Sequence, residues 1–144
     1  MTGVEFDFVV PDSVAALTFY ERFFRLERLE VTSFERGLNE VVFTMYGGRF
    51  HMLDENPEYG LTAPIVGQAH SMWVNIVVPD IKVTFEAAVA AGCTVIQPLT
   101  EMEAFGVSNA VFSDPFGYVW MLHQIHREVS FEERMALFEN TSEI

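Results

Sequence analysis

The tetrapeptide Val9-Val10-Pro11-Asp12 recurs unchanged as Val77-Val78-Pro79-Asp80, and the likeness continues downstream. Val41 to Thr44, Gly48 and Met52-Leu53 align with Ala110 to Ser113, Gly117 and Met121-Leu122, now one position further apart. A drift of one residue is the size of a loop difference, so the chain reads as one unit of about half its length, used twice. Two copies are too few for a solenoid, which needs at least three stacked repeats. A duplicated unit instead places a site at the seam between copies and lets each copy test the register of the other.

Local patterning gives the same element order in both copies. Val4 to Val10 alternates, with Phe6, Phe8 and Val10 on one face and Glu5, Asp7 and Val9 on the other, which predicts a strand. Asp12 is a helix N-cap ahead of the broad apolar face of Val14, Leu17, Tyr20 and Phe24. Leu26 to Phe34 and Leu38 to Tyr46 read as strands. Gly47-Gly48 makes a tight hairpin turn, and Arg49 to Asp54 is a fourth strand. Residues 56–68 carry Pro57, Gly60, Pro64 and Gly67 without periodicity and read as a linker. Ser71 to Val78 then opens a second unit, with a helix from Asp80 to a Gly92 stop. Strands follow at Thr94 to Gln97, Gly106 to Phe112 and Tyr118 to Gln124, with Asp114-Pro115-Phe116-Gly117 a type I turn. Ser130-Phe131-Glu132-Glu133 matches a capping box, which predicts a final helix over about 131–139. Neither unit can bury both faces of its own sheet. Pairing the two sheets edge to edge into a curved, half-open barrel leaves a cleft lined by their second faces.

Composition narrows the function. Half of the 144 residues are hydrophobic and 14 are Phe, enough for a real core and too many for disorder. The net charge is −13 and Lys82 is the only lysine, so the surface repels phosphates and favours neither nucleic acid nor anionic membrane. No apolar run approaches the ~20 residues of a membrane span, and the first residues lack a signal-peptide pattern. The single cysteine, Cys93, reads as a small buried filler and suits the reducing cytoplasm, the expected location.

Together these residues resemble the vicinal oxygen chelate superfamily, which includes glyoxalase I, bleomycin-resistance proteins, fosfomycin-resistance enzymes and extradiol dioxygenases. The resemblance is carried by Val-Val-Pro-Asp followed by Ala16-Leu17-Thr18-Phe19-Tyr20, by Ala87 to Gly92, and by Asp114-Pro115-Phe116-Gly117-Tyr118-Val119-Trp120. That last stretch, with Phe105-Gly106 upstream and the His123 to Arg134 tail, is most similar to the PhnB-like branch. It departs from that branch at Val107 and Ser108, where close relatives commonly have Asp and Arg. The implied fold is α+β: two βαβββ modules forming a curved eight-stranded half-open barrel, glyoxalase-like, plus a C-terminal helix. The expected division is a single domain over 1–144, with module 1 at about 1–55, a linker at 56–70, module 2 at about 71–126 and a helical tail at 127–144.

The resemblance also implies where a metal would be held. In metal-dependent members, ligands lie on the first strand of each module, seven residues before the helix-capping Asp, and on each last strand, about four residues after its opening Gly. Those places hold Glu5, Trp73, Met52 and Met121. Trp cannot ligate a hard cation and thioether sulfur is a poor donor for one, so only Glu5 qualifies. If Gly47 rather than Gly48 sets the hairpin, His51 replaces Met52 in the cleft, and Glu5 with His51 becomes the fallback pair. The ungapped match of Gly48 and Met52 to Gly117 and Met121 argues for Met52.

Strand parity gives the candidate ligand-binding wall as Glu5, Asp7, Phe50, Met52, Trp73, Asn75, Val119, Met121 and His123, mostly apolar with a few polar groups, as small-molecule sites are. Trp73 can stack a flat ring or hold a cation over its face. Glu5 beside Asp7 is a paired-acid feature, and with His123 these are the catalytic candidates, while His70 and His126 flank loops. The expectation is a metal-free small-molecule-binding protein, a homodimer without cofactor, accepting an aromatic or cationic ligand. The alternatives are a metal-dependent lyase, isomerase or dioxygenase of the same superfamily, and a metal-free proton-transfer enzyme.

Overall fold

The computed structural model describes residues 2–68 and 70–141. The first unit runs β1 (Glu5–Val10), α1 (Ser13–Tyr20), β2 (Leu26–Val31), β3 (Glu40–Met45) and β4 (Gly48–Asp54). The second repeats that order as β5 (Val74–Val77), α2 (Ile81–Ala91), β6 (Thr94–Met102), β7 (Val107–Ser113) and β8 (Val119–Ile125), and α3 (Phe131–Thr141) ends the described chain. Each unit forms one four-stranded mixed sheet, ordered β1-β4-β3-β2 and β5-β8-β7-β6. In both, the first strand pairs parallel to the last and the other pairs are antiparallel. The element order expected from the repeat is therefore present twice.

The helix boundaries follow the local chemistry. Asp12 accepts from the Ala15 N–H at 3.0 Å and Asp80 from the Val83 N–H at 3.2 Å, so both copies of the Pro-Asp pair start a helix. Gly92 ends α2 at φ 111°, a conformation that Gly adopts without strain. Ser130 Oγ accepts from the Glu133 N–H at 3.1 Å, as a capping box requires. Helix α1 stops at Tyr20 rather than Phe24, yet Phe23 and Phe24 remain buried in the turn that follows. Strand β6 runs well past the expected Gln97. Its Pro98 is tolerated because β6 is an edge strand, and two register irregularities absorb the distortion.

One core joins the two units. Tyr20, Phe23 and Phe24 reach across from the first unit to Phe112 and Trp120 of the second, with Phe24 and Trp120 rings 5.1 Å apart and Phe23 and Phe112 rings 5.8 Å apart. At its centre the buried Asp114 carboxylate accepts from Tyr20 Oη, from Trp120 Nε1 at 2.8 Å, and from the Phe116 and Tyr118 N–H groups. Burial pushes its pKa up despite these four donors. Cys93 is buried as expected, and burial pushes its thiol up to about 12.

The hairpins correct the register taken from the repeat. In the first unit Met45 pairs with Gly48 around Tyr46-Gly47, both at positive φ (49° and 84°) as a two-residue type I′ turn needs. In the second, Asp114 N–H donates to Tyr118 O at 2.9 Å around three residues, ending in Gly117 at φ 99°. The second hairpin is one residue longer. Ungapped matching of Gly48 to Gly117 hides this, and it misplaces the fourth strand by one position. The helix starts show the true register: Ser13 N–H donates to Asp54 at 2.7 Å, and its counterpart Ile81 N–H donates to Gln124 at 2.9 Å. Asp54 therefore corresponds to Gln124, and His51, not Met52, corresponds to Met121.

Candidate functional site at the seam of the two modules

Residues directly opposite in a ladder share a face of the sheet. Glu5 lies opposite Arg49 and Asp7 opposite His51, while Phe6 lies opposite Phe50 and Phe8 opposite Met52. Phe50 and Met52 were expected beside Glu5 and Asp7; they point instead to the helix-covered face, where Met52 is fully buried in the core. A shift of one residue along a strand exchanges its faces, so the hairpin length accounts for the whole difference. In the second sheet the expected parity holds, with Asn75 opposite Met121 and Val77 opposite His123.

On the open face of the first sheet, His51 Nδ1 lies 3.3 Å from Glu5 and 3.2 Å from Asp7, and Nε2 lies 3.4 Å from Glu40. Arg49 Nε donates to Glu5 at 2.6 Å, and this guanidinium holds Glu5 below the usual carboxylate range. Glu5 is thus an ionised partner of Arg49 at the surface, not a desolvated acid sharing a proton with Asp7. Among the described residues, Glu5, Asp7 and His51 are the only group of three such side chains close enough to hold an ion, their donor atoms within 4.8 Å of one another. The metal arrangement implied by the family does not fit this chain. With the register corrected, its four corners are Glu5, His51, Trp73 and Met121, and the second module supplies indole and thioether where donors are needed.

A cleft of about 730 Å³ opens elsewhere, between β1 and β5, the facing edge strands of the two sheets. It takes in Asp7, Phe50, Trp73, Asn75 and Val119 from the expected wall and leaves out Glu5, Met52, Met121 and His123. His123 lies on the open face of the second sheet, its buried Nδ1 without a hydrogen-bond partner among the described residues. Sequence reading missed Phe6, Phe8, Tyr118 and Trp120, which line the cleft from the helix-covered side. Their strand parity pointed to core. Phe6 and Phe8 reach the cleft because β1 is an edge strand and both of its faces border the gap; Trp120 on the interior strand β8, and Tyr118 just before it, reach it through their edge-on packing against Phe8. Among the described residues Asp7 is the only charged one in the lining, and Trp73 at the rim is 58% exposed.

Tyr118 bridges this gap. Its hydroxyl accepts from the Val9 N–H at 3.1 Å and donates to the Val9 carbonyl at 2.7 Å, while its ring meets Phe8 edge-on at 5.1 Å. At Val9 a side chain thus takes the hydrogen bonds that a neighbouring strand would make, and the two sheets remain separate ladders. Ser108 Oγ lies 2.8 Å from His126 Nε2, which ties the end of β8 to β7.

A family model described as the glyoxalase/bleomycin resistance protein/dioxygenase superfamily matches residues 4–122. An uncharacterised protein of Mycobacterium tuberculosis is 30% identical over 143 residues, spanning 89% of this chain and 77% of its own length. TioX from Micromonospora sp. ML1 superposes with a TM-score of 0.64 at 18% identity, covering 90% of this chain and all of TioX. The fosfomycin resistance protein FosX of Listeria monocytogenes, complexed with Mn(II) and a sulfate ion, gives 0.66 at 15% identity over 96% of this chain and 98% of its own. At those identities the two structures share a fold with this chain. No helix among the described residues is long and apolar enough to cross a membrane. With two βαβββ sheets, a seam cleft and a family match across most of its length, this chain belongs to the glyoxalase/bleomycin resistance protein/dioxygenase superfamily.

Proposed function

We propose that this chain is a small-molecule-binding protein that works without a bound metal and takes a flat aromatic ligand carrying positive charge into the seam cleft. One observation carries the reading: the cleft is walled by aromatic rings from both modules, with a single carboxylate, Asp7, among its lining side chains. Rings such as Trp73 attract a cation through their faces, by roughly 1–2 kcal/mol where water is excluded. The net charge of −13 adds long-range attraction for cations. We place the chain in the PhnB-like branch and in the cytoplasm, and propose a homodimer. The open sheet faces bearing His51 and Met121 would then meet a second copy.

Isothermal titration with a panel of cationic aromatic compounds, each paired with an anionic isostere, tests this. Binding confined to the cations, weakened at least fivefold by Trp73→Ala and by Asp7→Asn, is the expected result. Silence across the panel, or affinity indifferent to Trp73→Ala, rejects it. A second reading rests on the Glu5, Asp7 and His51 group, which offers three donors on one sheet face. Arg49 already neutralises Glu5 and competes with any cation there. Stoichiometric Zn, Mn, Ni or Fe in protein purified without chelator, lost on Glu5→Gln, would select an enzyme over a binding protein.

A further inference from the structure

We infer that the seam cleft recognises an extended peptide-like backbone, which adds as a strand between the edges of β1 and β5. This rests on the proposed use of the cleft and names the ligand class. Both bordering strands are sheet edges, and no ladder joins them. In a strand paired on one side only, every second residue turns its N–H and C=O outward. For β1 the outward set includes Val9, whose two groups are taken by the Tyr118 hydroxyl, whereas the Val10 carbonyl turns inward to Glu55 N–H at 2.8 Å. Asp7 shares the phase of Val9 and presents its backbone pair to the gap. In β5, Val78 N–H turns inward to His123 O at 2.8 Å, so Asn75 and Val77 present theirs.

With Val9 taken, Asp7 on one edge and Asn75 and Val77 on the other offer backbone groups to a third strand between them, and strand addition draws its affinity from such main-chain hydrogen bonds. The cleft is bordered by Phe6 to Val9 on one side and Met72 to Val77 on the other. At about 3.3 Å per residue, the shorter side gives room for about four extended residues. Side chains of such a strand alternate. One set would meet Phe8, Phe50 and Trp120, and the other would pass Asp7 and Asn75. The recognised pattern is therefore apolar and cationic residues in alternation.

The test uses the full chain and three blocked tetrapeptides: acetyl-Phe-Lys-Phe-Lys-amide, its isomer acetyl-Phe-Phe-Lys-Lys-amide, and the first peptide with both internal Phe and Lys amides N-methylated. Titration calorimetry is expected to show the alternating peptide binding at least tenfold more tightly than either control. Hydrogen exchange at the Asp7 and Val77 amides should slow on binding. Equal binding of the N-methylated peptide, or unchanged exchange at both amides, overturns strand addition. If aromatic cations bind and no peptide does, the cleft keeps its proposed use and this inference falls; if neither class binds, both readings fall.

Discussion

Four donors converge on the carboxylate of Asp54: Ser13 N–H and Ser13 Oγ at 2.7 Å, Gly37 N–H at 2.8 Å and Asn39 N–H at 2.9 Å. One buried side chain thereby ties the start of α1 and the loop before β3 to the end of β4. Burial pushes its pKa up, but the donors prevail and hold it below the usual carboxylate range. In Asp54→Asn the amide end would face donors it cannot serve, so denaturant unfolding should show a loss of about 3 kcal/mol. The folded pKa lies below the unfolded one. The stabilisation is therefore complete above the ordinary Asp range, near 4, and is lost as pH falls through the folded value. The acid limb of the stability curve should be shallower in Asp54→Asn than in the wild type, and an unchanged limb would place the acid sensitivity elsewhere. Sequence alone marks Asp54 as a strand end. Its role as a node depends on Gly37 and Asn39, loop residues whose N–H directions no periodicity encodes.

At the scale of elements, capping and alternation were legible because they act within a few residues. Asp12, Asp80, Gly92 and Ser130 all end or begin helices where their chemistry says they should. Hairpin length was not legible, since a two-residue turn ending at Gly47 and a three-residue turn ending at Gly117 leave nearly the same trace in the chain. That single residue moved His51 to the face of Glu5 and sent Met52 into the core. Gly117 also holds the linker: a Cβ there would sit 3.1 Å from Pro64 Cβ, on a backbone at φ 99° that L residues rarely adopt. Gly117→Ala should cost about 2 kcal/mol by urea denaturation. Gly47→Ala, at φ 84° but with nothing near its Cβ, should cost less, by the part that reflects the linker contact.

At the scale of the whole molecule, the seam is held by rings and by one hydroxyl. Tyr118→Phe keeps the ring against Phe8 and removes both hydrogen bonds to Val9, leaving a part-buried N–H and C=O. It should destabilise the fold by about 1–3 kcal/mol and speed hydrogen exchange at Val9 more than at the centre of β4. Uniform protection at Val9 would mean that the hydroxyl does not bridge the gap. The amino-acid sequence by itself determined the duplication, the βαβββ order, the helix caps and the acidic surface, because repeats, periodicity and charge are written in neighbouring residues. Only the tertiary structure decided which face each fourth strand presents and that the edges of β1 and β5 stay apart around a cleft. Those outcomes turn on one residue of hairpin length and on a contact between Tyr118 and Val9, 109 positions apart in the chain.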